Sequence, residues 1–392
     1  MALSRPSHLI TQAWFGFKRR VGILQYQSPT APWNSVETAT ATEAEFVAKW
    51  KSKSPSLPIA LLNRTYIAPH LEQYAVAVGH SPEAEAKAIA GGRFRLGSGN
   101  FINLGVPPEW NRDQEEFASI HWSKVPANID TSEISHFNWV YTLVRSWILS
   151  GDDTPAETFW SWFENWLKVN PPNLGPQWVS DEAIARRLLA ITFAVQAFRF
   201  HPASTNQRLI QAARFIAISA ERLRLTFSHA QSRSVTSGLL SALALFTAGA
   251  LWTNLPAADI WRSAGLETLI SEGKKLNEHA RNASSSEISA ASHILEIYTW
   301  AEIILRSENE RESLPESLQV KIRALAVQVG SPPAVVASFA PLFSLSGCAS
   351  GDVRPAAATA LILFTGVRYA PGPWDESTLL LVGPMCTSAV VS

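Results

Sequence analysis

Within WVSDEAIARR, residues 178–187, an indole is followed by a carboxylate and then a guanidinium: Trp178, Glu182 and Arg186. Positions four apart share a helix face, so Glu182 and Arg186 either form a surface ion pair or line a cleft together. An indole face stacks on the apolar C–H side of a pyranose while its N–H bonds a hydroxyl, so a tryptophan beside such a pair suits a sugar. The chain holds 15 tryptophans, among them Trp110, Trp122, Trp139, Trp147, Trp160, Trp162, Trp166 and Trp178. Large aromatics are mostly core residues, and only a few of these are expected in a groove.

Other chemistries find less support. Asp152-Asp153 and Glu115-Glu116 pair carboxylates as a glycosidase needs, but adjacent acids are also the ordinary composition of a helix start. His201, His229 and His279 stand singly, with no partner set by spacing. No HExxH helix, phosphate-cradling glycine loop, GxSxG elbow or paired-cysteine site occurs, which removes metalloprotease, nucleotide-hydrolase and serine-hydrolase chemistry of those types. Cys348 and Cys386 give no metal spacing and no disulfide framework, and a single bridge between them stays open. No metal or cofactor is expected.

Lys plus Arg and Asp plus Glu both total 33, so the formal net charge is zero. No run of like charge offers a surface to nucleic acid. The longest apolar run, Gly238 to Trp252, is shorter than the roughly 20 residues of a bilayer span and reads as a buried helix. Lys18, Arg19 and Arg20 follow a short apolar stretch, the reverse of a secretory signal, so no cleavable leader is expected and the cytoplasm is the default compartment.

The elements that must position these groups fall into three parts. Residues 1–110 mix short apolar stretches with Pro, Gly and Ser and read as an irregular lead-in packed on the helical part of the chain. From 111 to 330 apolar residues recur at three- and four-residue intervals, and helices are expected near 134–150, 155–168, 180–200, 205–228, 235–252, 256–279, 284–306 and 313–329. Ser180-Asp181-Glu182 and Asp152-Asp153-Thr154-Pro155 carry good helix starts. Residues 331–392 show short β-like runs between Gly and Pro turns and read as the start of a β-sandwich. The whole is mainly α: a run of antiparallel helix pairs, either an α/α toroid or an irregular solenoid, with the aromatic content favouring the toroid.

Several segments, in order, carry a family resemblance. GRFRLGSGNFINLGVPPEW at 92–110 is followed by HWSKV at 121–125 and by EISHFNWVYTLVRSWILSGDD at 133–153, with Glu133 and His136 at polar positions. WFENWLKVNPPNLGPQWVSDEAIARRLLA at 162–190 then supplies Trp166, Asn170, Pro171, Pro172, Gly175, Trp178, Glu182 and Arg186 in the pattern W-x-x-x-N-P-P-x-x-G-x-x-W-x-x-x-E-x-x-x-R. The chain thereby resembles the N-terminal domain of heparinase II/III-type polysaccharide lyases, over roughly residues 90–305. That resemblance implies an incomplete α/α toroid of the chondroitin AC and alginate lyase kind. It also implies a polysaccharide groove involving Glu133, His136, Trp178, Glu182 and Arg186.

A uronate lyase must neutralise a carboxylate, remove the C5 proton and protonate the leaving oxygen. The resemblance assigns these tasks to an Asn or His in "Q-N-N-N-H-x-x-S-E-A-x-G-L", a Tyr in "D-G-x-x-x-Q-x-S-x-x-Y-H" and a His of the β domain. The first motif falls at 231–249, where the Asn-Asn-His positions lie within Ser232 to Ser237 and the Glu position near Ser241. The second falls at 282–305, where His293 fits but Ser292 takes the Tyr position and Asn282-Ala283 the Asp-Gly pair. Tyr298, on the same helix, is rotated by roughly 240° from Ser292 and faces elsewhere. His293 and Arg233 are the remaining catalytic candidates. The expected function is therefore polysaccharide binding without lyase chemistry. The alternatives are an altered lyase acting on a uronate-containing exopolysaccharide, and a decayed gene product that still folds.

Overall fold

The computed structural model describes residues 6–35, 42–61, 63–97, 99–126, 133–276, 284–309, 311–330, 336, 339–348, 351–368 and 371–383. The described chain opens with α1 (Pro6–Arg20), α2 (Ile23–Gln27), α3 (Glu43–Lys53), α4 (Pro58–Leu61), α5 (Arg64–Val78) and α6 (Pro82–Ala90). An antiparallel hairpin of β1 (Arg93–Arg95) and β2 (Phe101–Asn103) comes next, with Phe94 opposite Ile102. Then come α7 (Trp139–Ser150), α8 (Thr154–Val169), α9 (Asp181–Ala197), α10 (Asn206–Arg233), α11 (Val235–Leu251), α12 (Ala258–Gly273), α13 (Ser285–Glu308) and α14 (Glu316–Gly330). These eight lie where the periodicity places them. The protein is mainly α, and the toroid-like arrangement is the observed one.

Burial separates the helices into two layers. In α9 every residue from Ala183 to Ala197 is buried, and in α11 every residue from Gly238 to Leu251. A helix apolar all round must be covered on all sides, so these two form the inner layer. The inner series runs α7, α9, α11, α13, with α8, α10, α12 and α14 outside. Helices α11 and α12 approach closely because glycine faces the contact: a Cβ on Gly265 would lie 2.5 Å from the Ala242 carbonyl oxygen and the Phe246 nitrogen.

The structure departs from two sequence expectations. Before residue 110 the chain is largely helical, and after 330 it forms no strand among the described residues. Instead α15 (Arg354–Thr365) and α16 (Asp375–Val382) occupy the stretch expected to begin a β-sandwich. Proline placement contributes to both misreadings. Prolines read as breakers sit at first turns, where no N–H partner is lost: Pro58 opens α4, Pro82 follows the Ser81 cap of α6, and Pro355 opens α15. The consequence is architectural. Helix α15 packs on α13 and α14, α16 packs on α4 and α5, and α5 packs on α7, so these segments close the ring. One hydrophobic core extends from Leu24 to Leu381.

Candidate functional site

The segment between α8 and α9 shows how local sequence delivers the first site residues. Asn170 caps the end of α8, Gly175 takes φ 82°, and Pro176–Trp178 makes a single 3-10 turn. The Ser180 hydroxyl then accepts the Ala183 N–H and starts α9, which places Glu182 in the first turn and Arg186 one turn on. The Arg186 Nε and Nη2 donate to Glu182 Oε1 at 3.0 and 2.8 Å. The pair is lopsided: the Arg186 side chain is 7% exposed and that of Glu182 is 44% exposed. The third donor, Nη1, reaches the Pro341 carbonyl at 3.2 Å.

Two histidines face this pair. His136 ends a 3-10 turn, Glu133–His136, and the buried Arg187 holds that turn by donating from Nη1 to the Ser135 carbonyl at 2.9 Å. Burial first, and then the positive charge of Arg186, push His136 down to about 3. It stays neutral near pH 7. His293, on α13, pairs through Nε2 with the Ala340 carbonyl oxygen at 2.8 Å and packs on Phe339. Burial lowers its pKa as well, with Arg186 adding to the effect and Ala340 and Glu182 opposing it. Burial would raise the Glu182 carboxyl, but Arg186, His136 and His293 hold it below its usual value. The cluster thus brings together one buried guanidinium, one half-buried ionised carboxylate and two half-buried neutral imidazoles.

Glu133, also expected in the groove, accepts the Gly97 N–H at 2.7 Å and lies at the end of the same turn as His136. Glu296 was not singled out from the sequence. Its carboxyl receives the N–H of Leu342 at 3.0 and 3.1 Å and of Phe343 at 3.4 Å. Burial pushes it up to about 8. No spacing rule marks Glu296, because the partners that define it lie about 46 residues later in the chain.

The structure places the other candidates elsewhere. Trp178 is 0% exposed, packed against Trp33 and Trp166 at 6.0 and 6.2 Å, and so is a core residue and not a groove wall. Arg233 is an exposed residue in the last turn of α10. Ser292 is buried and back-bonds to the Ile288 carbonyl, while the Tyr298 hydroxyl donates to the Leu269 carbonyl, so the two do point apart. The Asn282-Ala283 pair, His279 and Cys386 lie outside the described residues. His201 and His229 do have partners: His201 Nε2 meets Asp153 at 2.8 Å, and His229 stacks on Phe15 at 3.8 Å. Asp152 accepts from Thr154 at a helix start, as its position suggests. Among the described residues no group of three or more His, Cys, Asp or Glu side chains could hold a metal ion, and no helix is long and apolar enough to cross a membrane.

The fold has solved counterparts. A heparinase III matches with a TM-score of 0.51 at 15% identity, over 74% of this chain and 44% of that one. The heparan sulfate lyase HepC of Pedobacter heparinus matches with a TM-score of 0.49 at 16% identity, over 73% and 42%. A further heparinase III structure gives 0.48 at 14% identity, over 84% and 46%. The match at 0.51 gives the chain a heparinase-like helical fold, and the chain spans less than half the length of each of these proteins. No protein-family model and no curated protein matches the sequence.

Proposed function

We propose that the cleft formed by His136, Glu182, Arg186 and His293, with Glu133 at its edge, binds an acidic polysaccharide and does not cut it by β-elimination. The observation that carries this reading is the convergence of His136, Glu182, Arg186 and His293 from three separate segments around one buried guanidinium. Glu182 and Pro341 take three of the five Arg186 N–H donors, and the two that remain, held in fixed directions, suit a planar carboxylate or a sulfate ester without breaking the ion pair. The heparinase III of similar fold is named for an acidic glycan, which agrees with that choice.

Three features support binding over cleavage. Both imidazoles are poor bases, since their pKa values are pushed below the ordinary range. Ser292, at the expected acid–base position, and Tyr298, on the same helix, are both engaged with backbone carbonyls. Arg233, the other candidate for neutralising a uronate, is exposed at the end of α10. The second reading, an altered lyase, draws on His136 and Arg186 being neighbours, so that one could take a proton while the other neutralises a carboxylate.

One sample tests both. Purified protein is titrated with heparan sulfate, chondroitin, alginate and hyaluronan by affinity electrophoresis, while absorbance at about 232 nm reports unsaturated uronate ends from elimination. Binding that weakens in Arg186→Ala, with flat absorbance, is the expected result. Absorbance growth that disappears in His136→Ala, His293→Ala or Arg233→Ala establishes a lyase and overturns the binding-only reading.

A further inference from the structure

Beside the cleft, the 339–348 segment also walls a cavity of about 150 Å³ bounded by α7, α13, α15 and α16. By the measure in which one water needs roughly 10–15 Å³, this space takes on the order of ten water-sized positions. It is large for a structural water site and close to the size of a single sugar ring, which has about a dozen non-hydrogen atoms.

The chemistry of its wall is specific. Its ionisable side chains Arg95, Arg145, Asp352, Glu133 and the protonated Glu296 each already have a partner within the protein. Arg145 makes a two-point pair with Glu376 at 2.6 and 3.0 Å, Arg95 meets Glu85 at 3.6 Å, and Asp352 pairs with Arg354 at 2.7 Å. Glu133 and Glu296 are spent on backbone N–H groups. The unpaired groups are the neutral ones: Asn138 Oδ1, Trp139 Nε1 and Thr299 Oγ1 are buried polar atoms without a partner. Trp139 and Thr299 are 5% and 2% exposed, so bulk water does not satisfy them. Trp139, Phe339 and Phe343 add aromatic surface. His80, Arg95, Gly97 and Glu133 are only half-buried, and on their side the wall reaches the surface.

We infer that this cavity binds one uncharged hexopyranose, whose hydroxyls pair with Asn138, Trp139 and Thr299 and whose apolar face meets the aromatic wall. Paired charges exclude an anion, because a carboxylate or phosphate entering here would have to break an existing ion pair to be neutralised. Unpaired neutral donors and acceptors exclude a plain hydrocarbon, which would leave them unsatisfied. A ring with hydroxyls on its rim and C–H groups on its face meets both requirements. This inference goes beyond the cleft reading and does not depend on it, since a free monosaccharide is the ligand.

The test is saturation-transfer NMR and calorimetry of the full chain with glucose, galactose, mannose and N-acetylglucosamine, with glucuronate as the charged control. At least one neutral sugar is expected to bind, with glucuronate weaker. Thr299→Val keeps the shape and removes one hydroxyl, and is expected to weaken that sugar about tenfold. Its melting temperature should hold or rise, because an unsatisfied buried group is gone. Ala356→Leu, which fills the cavity from α15, should abolish binding. Absence of transfer from all four neutral sugars, glucuronate binding as well as they do, or sugar affinity unchanged in both variants would overturn the inference. Polymer binding without monosaccharide binding sinks the cavity site alone, and the reverse sinks the cleft reading alone.

Discussion

Glu296→Gln is expected to change how stability depends on pH. The Glu296 carboxyl is enclosed, the residue being 9% exposed, and burial raises its pKa from 4.5 to about 8 in the folded protein, against the pull of the Leu342 and Phe343 N–H groups and of Arg186. Below pH 4.5 the group is neutral in both folded and unfolded chains and contributes no slope. Between 4.5 and 8 the unfolded chain releases a proton that the folded protein keeps, so stability falls as pH rises. Above 8 both states are ionised and the loss is complete. One unit of pKa is ~1.4 kcal/mol, which makes the full interval worth about 3 to 5 kcal/mol, a large share of an ordinary domain's 5–15 kcal/mol. Glutamine does not titrate. Urea unfolding followed by circular dichroism at unit steps from about pH 5 to about pH 8 should show the variant gaining on the natural protein by ~1.4 kcal/mol per unit. Subtracting one profile from the other removes every other titrating group that the two proteins share. Parallel profiles would mean that Glu296 is ionised in the folded state and that the two N–H groups, not burial, decide its charge.

Three further outcomes are expected. Trp178→Ala should destabilise the protein by about 3–5 kcal/mol in thermal unfolding, whereas Trp178→Phe should keep polysaccharide affinity. A loss of affinity at constant melting temperature would put the indole in the groove after all. Arg186→Lys should lower affinity for an acidic polysaccharide about tenfold or more, since an ammonium cannot hold Glu182, Pro341 and a ligand in fixed directions; an unshifted electrophoretic titration would count against the cleft. Gly265→Ala should lower the urea midpoint by an amount equivalent to about 1–3 kcal/mol, because its Cβ meets backbone of α11 at 2.5 Å. An unchanged midpoint would show that the two helices separate without cost.

Much of the ring was legible in the sequence. Periodicity over 134–329 marks eight helices and a cap such as Ser180 marks a start, because both signals are local and each helix must bury one or more of its own faces. The pairing of Glu182 with Arg186 was legible for the same reason: four residues apart is a property of one helix. Trp178 was misplaced because composition states that an indole is present and not which side of it is covered. Trp33, which covers it, lies about 145 residues earlier in the chain. Among the closing helices α6 and α15 were missed because a proline reads as a break unless its place in the first turn is known.

Sequence by itself determined the helical class and, between 134 and 329, the succession of eight helices and the side chains on each face, since these depend on spacing along one chain. Only the tertiary structure decided which faces meet: that His136, Arg186 and His293 lie together, that Glu296 holds segment 339–348 through two backbone N–H groups, and that α16 packs on α5. Those contacts join positions tens to hundreds of residues apart. The apolar surface that drives them together is non-directional, so which faces meet is settled by packing in the folded core.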